Sequence, residues 1–267
     1  MREACCALTI AGLDPGGGAG VLADLRAFHA AGAFGCAVVA LMTVQSTSGL
    51  EASAPVPSKE VLAQARAVLK HQRVRALKVG ALGSVNNVRA VGELLATHKE
   101  LANVVDPVML PTRGRARLLE ERGVAALRTH LVPRSKLLTA NVPEAEALLG
   151  ARVTNVSDAH DAAVALVRLG AKAALVKGGH LASGTHAVDV LAVGDEVIEL
   201  RAPRLRLKPV HGGGCALASL IAGRLAVQGG AWDDEAIVAA VKWAKKQHHA
   251  ALSRAQDVGG DLRVLVP

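Results

Sequence analysis

The chain has 267 residues, of which 51% are hydrophobic, with 27 glycines, two Phe, two Trp, no Tyr and a formal net charge of +8. That length and apolar content describe a globular protein of one large α/β domain or two small ones, with a core of Ala, Val and Leu, and the glycines lack a collagen-like period. The basic residues are spread along the chain and stacking aromatics are scarce, which disfavours a nucleic-acid binder while leaving anionic small molecules as ligands.

The apolar run from Ala4 to Ala11 is too short to span a membrane and runs straight into GLDPGGG, so it reads as a first strand rather than a signal segment. Further short apolar runs, GCAVVALM, ALKVGAL, NVVDPVM, KLLT and AALVK, have the near-continuous hydrophobicity of strands buried on both faces. Between them the spacing predicts helices at 19–31, 59–72, 86–98, 121–130, 143–149 and 158–169. Alternation of this kind gives a mostly parallel sheet with right-handed crossovers. Residues 187–208 differ: AVDVLAV, EVIEL and RLRLK, separated by GD and AP, read as a meander or hairpin at a sheet edge. Helices at 214–228 and 233–255 follow, the second capped by Asp233 or Asp234. No linker, repeat or low-complexity tract divides the chain, so residues 1–267 are expected to form one domain. Cysteines 5, 6, 36 and 215 show neither a CxxC pair nor metal-ligand spacing, a usage that suits a reducing cytosol.

Several chemistries are missing: there is no Gly-Lys pair for a Walker A loop, no HExxH and no GxSxG. GAGVLA resembles a dinucleotide fingerprint, but no acidic residue lies between Asp24 and Glu51 to hold a ribose. On the helix after that turn, Val21, Leu25 and Phe28 form the apolar stripe and Asp24 stands at its border. Such a carboxylate is either a partnered packing residue or an acceptor facing a ligand.

PVHGGGC, residues 209–215, puts three glycines at a helix start. Successive backbone N–H groups there form an anion cradle, aided by the helix dipole, and glycine keeps the space clear for a phosphate. The same field favours a thiolate at Cys215, which could serve as base or nucleophile; the alternative is a small buried cysteine after a plain turn. Asn141 and Glu144 flank Pro143 at another helix start, where they form either a capping box or oxygen ligands for Mg2+ beside a phosphate. His248 falls on the apolar side of the last helix and reads as packing, and a loop or capping role is expected for His180 and His211.

ALTIAGLDPGGGAGVLADL, VQST, KVGALGS, VVDPVML, NVPEAEALLG, VKGGH and HGGGC occur in an order and spacing that resembles the hydroxymethylpyrimidine/phosphomethylpyrimidine kinases of thiamine biosynthesis, members of the ribokinase-like superfamily. The resemblance covers nearly the whole chain. It implies a three-layer α/β/α sandwich with a mostly parallel central sheet, and transfer of the γ-phosphoryl group of ATP to a primary hydroxyl. It further implies that Asp24 and Gln45 bind the pyrimidine with Gly12 and Ala81 beside it, and that Gly212, Gly213 and Gly214 form the anion hole with Cys215 as base. Lys177, Gly178 and Gly179 match the nucleotide-side segment, and Asn141, Glu144 and Asp106 match the Mg2+ site. The expected protein is a cytoplasmic homodimer, with ATP and a pyrimidine as its partners and no nucleic acid or membrane.

Departures from the family pattern are equally specific. Thr112, Arg113, Gly114 and Arg115 stand where KSGD is usual, and Arg113 and Arg115 are either replacement phosphate clamps or a solvated basic loop. Ala81 replaces a frequent Met, Gly213 a Thr, and Ala140 a Pro. These leave two other readings open: a kinase of pyridoxal-type vitamers, and a pyrimidine-binding relative with impaired turnover.

Overall fold

The computed structural model describes residues 3–114, 116–181, 184–205 and 207–267. Strands β1 (Cys6–Leu13), β2 (Phe34–Ser46), β3 (Gly49–Pro55), β4 (Val74–Val79), β5 (Ala102–Val105), β6 (Leu137–Asn141), β7 (Ala173–Lys177), β8 (His186–Val193) and β9 (Glu196–Pro203) form one sheet in the order β3-β2-β1-β4-β5-β6-β7-β8-β9. From β2 to β7 neighbours run parallel, whereas β3, β8 and β9 join antiparallel. A second, small pair joins β10 (Val210–His211) to β11 (Arg263–Val264).

Side chains alternate across each central strand, so one sequence run feeds two cores. Leu8, Ile10, Leu77, Val79, Val105 and Leu138 face α2 (Ser58–His71), α3 (Val85–Thr97), α5 (Val142–Leu149) and α6 (Val156–Arg168). Ala7, Ala76, Ala102 and Ala173 face the other way, against α1 (Gly20–Ala30), α7 (Gly213–Val227) and α8 (Asp234–Ser253). The result is the expected three-layer α/β/α sandwich. Alanine on that second face lets α7 lie close to the sheet, and Gly223 does the same between α7 and α1, where a Cβ would sit 2.8 Å from Ala31 and 3.3 Å from the Phe28 Cα.

Chain order reverses between β2-β1 and β4-β5, and this places a crevice beyond the carboxyl ends of β1 and β4, the usual ligand position in such sheets. Asn87 on α3 braces one wall of it. Its buried side-chain amide donates to the carbonyls of Ala40, Val56 and Leu82 at 3.1, 3.0 and 2.9 Å, tying β2 to the segment that carries Ala81.

Three elements differ from the sequence expectation. GLEASAP pairs with β2 as edge strand β3, although it is polar and holds a proline. The helix expected at 121–130 is a short α4 (Gly123–Ala126) that widens into π-helix over Leu127–Leu131. RLRLK is no strand among its described residues: β9 stops at Pro203, and Leu205 and Leu207 line a cavity instead. The two hairpin strands β8 and β9 are as expected, turning at Gly194 with φ +55°. Asn87→Leu keeps the volume but removes a donor that three buried carbonyls share, two of which retain a backbone N–H partner, and is expected to cost about 1–3 kcal/mol, read as a lower urea midpoint with an unchanged slope.

Candidate active site

Two glycine turns build the crevice. In the first, Asp14 folds back on its own loop, accepting the amides of Gly16 and Ala19 at 2.9 and 2.8 Å. Gly20, with φ +59°, then starts α1 so close to β1 that a Cβ would overlap the carbonyl of Gly12. In the second, Gly212 caps α7 with φ +74°, and its own Cβ would overlap the carbonyl of Gly18. The two turns therefore touch backbone to backbone. A Cβ on Gly214 would stand 3.2 Å from Lys177 Nζ and 3.8 Å from Asp106 Oδ2, filling the space in front of the α7 N-terminus. At Gly213 the nearest atom is His248 Nε2 at 3.8 Å, so a side chain would fit there.

Charges face this cradle from the ends of the parallel strands. Lys177 Nζ, at the end of β7, donates to Asp106 Oδ1 at 2.7 Å and lies 3.8 Å from Glu144 Oε2. Burial pulls the Lys177 ammonium toward neutrality, but Asp106 and Glu144 outweigh it and hold the proton more firmly than usual. Glu144 responds oppositely: burial pushes its carboxyl up, Lys177 pulls it down, Asp106 repels the charge, and the balance lies at about 7. Asn141 and Glu144 form a complete capping box at the start of α5, each accepting the other's amide at 2.8 Å. Capping and ligand binding are compatible here, because Glu144 Oε1 and Asp106 Oδ2 have no hydrogen-bond partner among the described residues. Two carboxylates around one ammonium fit a hard cation held jointly with phosphate oxygens and water.

Two cavities meet at the cradle. The smaller, about 120 Å³, is lined by Gly12, Thr43, Gln45, Ala81, His211 and Cys215 among others. The larger, about 660 Å³, is lined by Gly179, Leu205, Leu207, Lys245, His248 and Leu252 among others. Asn141, Glu144, Lys177, Gly213 and Gly214 border both. His248 Nε2 donates to the Gly213 carbonyl, 2.9 Å away, and burial lowers its pKa to about 4, so it is a neutral wall residue rather than plain packing.

Four expectations are corrected. Asp24 lines neither cavity: it is fully buried behind the wall, where Lys78 Nζ donates to its oxygens at 2.9 and 3.0 Å, Thr9 at 2.6 Å and Ser219 at 2.7 Å. Both carboxylate oxygens are already taken, and the partnered-packing reading holds. Gly178 also faces away, since a Cβ there would overlap the Val188 carbonyl and its amide donates to Asp189 at 2.9 Å. Arg113 points outward to Asp261 at 3.0 Å and borders neither cavity, while Arg115 and the side chain of His180 lie outside the described residues.

The fourth correction concerns Cys215. Burial dominates and pushes its thiol up to about 12; the nearby Lys78 charge lowers it, but Asp106 and Asp24 add to the rise. The helix field that the sequence suggests is outweighed by desolvation. Lys78, Asp14 and His211 were not legible as site residues, because each acquires its meaning from a partner far along the chain. Lys78 reaches back 54 positions and His211, at 2.8 Å from Asp14, reaches back 197.

Asp24→Ala is expected to cost about 3–5 kcal/mol in a denaturation curve by stranding the Lys78 charge, with much of the loss recovered in Asp24→Ala/Lys78→Met. Alkylation of Cys215 by iodoacetamide should be slow at neutral pH and should rise roughly tenfold per pH unit up to pH ~9.5, as expected well below the thiol pKa.

The sequence profile of the family described as phosphomethylpyrimidine kinase matches residues 14–264. The hydroxymethylpyrimidine/phosphomethylpyrimidine kinase of Streptomyces coelicolor is 40% identical over 255 residues, 96% of this chain and 91% of that protein. Among solved structures, the phosphomethylpyrimidine kinase of Clostridium difficile superposes with a TM-score of 0.78 at 33% identity, covering 92% of this chain and 98% of that one. The ADP complex of Bacillus subtilis pyridoxal kinase superposes with a TM-score of 0.87 at 26% identity, covering 98% and 97%. With a family match over nearly its full length and this identity to a kinase of matching size, the chain belongs to the phosphomethylpyrimidine kinase family.

Proposed function

We propose that the protein transfers the γ-phosphoryl group of ATP to the hydroxymethyl oxygen of 4-amino-5-hydroxymethyl-2-methylpyrimidine, and then phosphorylates the resulting monophosphate, in thiamine biosynthesis. The observation that carries this reading is the meeting of two cavities at one side-chain-free helix start, bordered by Lys177, Glu144, Gly213 and Gly214. The smaller cavity, with Gln45 and Ala81, suits a ring carrying a primary alcohol; the larger, with apolar Leu205, Leu207 and Leu252, suits a nucleotide.

In the transfer, the bond from γ-phosphorus to the bridging oxygen breaks as the bond to the hydroxyl oxygen forms, ADP departs, and the hydroxyl proton is lost. Catalysis of such a step is mostly positioning and charge stabilisation. The N–H groups at the start of α7 have no partner within the helix and would hold the migrating phosphoryl oxygens. Lys177 would meet the phosphates from the side. Asp106 and Glu144, with Asn141 holding Glu144 in place, would bind Mg2+, which when present offsets phosphate charge. Cys215 stands where the proton leaves; accepting it requires the thiolate, which Lys78 favours and burial opposes.

Three further points belong to this reading: the described chain works as one unit, it operates in the cytoplasm, and it pairs as a homodimer. The exposed apolar residues Phe34, Met42 and Val44 on β2 support self-association. A pyridoxal-type acceptor is the second reading, supported by the TM-score of 0.87 to a pyridoxal kinase and by the small Ala81 on the ring cavity.

A coupled ADP-release assay with the pyrimidine alcohol, its monophosphate and pyridoxal tests the reaction and the choice of acceptor. Turnover with both pyrimidines is expected, and Cys215→Ala should lower kcat about 10²-fold or more while calorimetry still detects pyrimidine binding. Turnover with pyridoxal alone would establish the second reading, and binding without ADP release would make the protein a non-catalytic relative.

A further inference from the structure

His211 joins the two halves of the site. Its ring is buried, with 4% of the side chain exposed, and Nε2 lies 2.8 Å from Asp14 Oδ2 and 3.1 Å from Gln45 Nε2. Asp14 also accepts two backbone amides, from Gly16 and Ala19, and bonds of this kind favour the ionised form. A carboxylate only accepts, so His211 Nε2 carries the hydrogen and donates it. Burial pushes the Asp14 carboxyl up, yet the hydrogen bond from His211 and the two backbone amides hold Asp14 below its ordinary value.

With Nε2 a donor, the Gln45 amide has one compatible orientation. The NH2 group placed toward His211 opposes donor to donor, whereas with the amide turned over its oxygen shares the Nε2 hydrogen with Asp14. Nδ1 agrees with this tautomer: it is buried and has no hydrogen-bond partner among the described residues, as suits the bare nitrogen of a neutral imidazole and not a second buried N–H. The ring is also fixed in place. A Cβ on Gly18 would overlap His211 Cδ2, and His211 pairs with Val264 across β10 and β11.

We infer that the Asp14–His211 pair locks the Gln45 amide with its oxygen inward and its NH2 group toward the small cavity, making His211 a positioning residue for ring recognition. The inference rests on the reading of that cavity as the acceptor site. It assigns the chemistry Gln45 can read: an unprotonated ring nitrogen or a ring oxygen is accepted, and an amino donor presented to the same point is refused. Selection between ring types is then set through a histidine on the cavity wall that acts by orienting the amide beside it.

The test is a double-mutant cycle on pyrimidine-alcohol affinity, measured by calorimetry with nucleotide affinity as a control. Gln45→Leu and His211→Leu are each expected to weaken pyrimidine binding about tenfold or more, as for a lost buried hydrogen bond. The double variant should bind within about twofold of Gln45→Leu, because the histidine acts only through the amide. His211→Gln, whose amide nitrogen can still donate toward Asp14, should recover most of the loss, and ATP affinity should hold within about twofold throughout. Losses that add, or no loss in His211→Leu, overturn the positioning role while leaving Gln45 in the site; no loss in Gln45→Leu removes the site reading as well. Should His211→Leu fail to fold, the imidazole 15N resonances of the unaltered protein decide: a hydrogen on Nε2 with Nδ1 bare is expected, and the Nδ1–H tautomer overturns the inference.

Discussion

Main chain pressed against main chain is the constraint from which this site follows. Gly20 abuts the Gly12 carbonyl, Gly212 the Gly18 carbonyl and Gly178 the Val188 carbonyl, each at a spacing that leaves no room for a Cβ. Because the second contact links one glycine turn to the other and the first closes the turn onto β1, the walls of the crevice are backbone on both sides. The alanines of β1, β4, β5 and β7 beneath α7 extend the principle into the core. A larger residue there would lift the helix, and its N-terminal amides would no longer reach the strand ends. The near absence of aromatic residues is thus of a piece with the chemistry: small side chains in the core permit bare backbone at the surface.

Two buried ammonium groups then set the electrostatics. Lys78 is matched by Asp24 beneath the floor, and Lys177 by Asp106 and Glu144 at the rim. The floor pair is sealed by Thr9 and Ser219, so its two charges are fixed in place. The rim group is more open to exchange, since an arriving phosphate competes with two carboxylates for one lysine. Ser219 lies one helical turn beyond Cys215 on α7, so the floor pair sits directly below the thiol. Cys215 therefore feels a cation, two carboxylates and a low-polarity wall together, and the last of these prevails.

Local pattern made the architecture legible. Continuous apolar runs gave the parallel strands, and 3.6-residue spacing gave the crossover helices, because both signals arise within a few residues. GLEASAP escaped because edge pairing in β3 depends on the exposed hydrogen bonds of β2 rather than on its own hydrophobicity. RLRLK misled for a related reason: its leucines face a cavity, which produces alternation without a ladder. At the site, the capping box and the cradle could be read because each lies within a few residues. Whether Asp24 faces a ligand could not, since the deciding partner is Lys78 on another strand. The raised thiol of Cys215 was equally invisible, as desolvation is a property of everything packed around it.

The small β10-β11 pair carries a temporal consequence. Val210 and His211, the two residues immediately ahead of the cradle, are held in register by Arg263 and Val264, and Leu262 donates to the carbonyl of Thr47 in the turn between β2 and β3. During synthesis, the sheet and most helices can assemble while this closing strand is still unmade. The cradle acquires its final support only after translation has passed Val264, when a long loop must close onto a preformed scaffold. A nascent chain therefore gains its sheet before the β10-β11 pair that braces the glycine turn at Gly212.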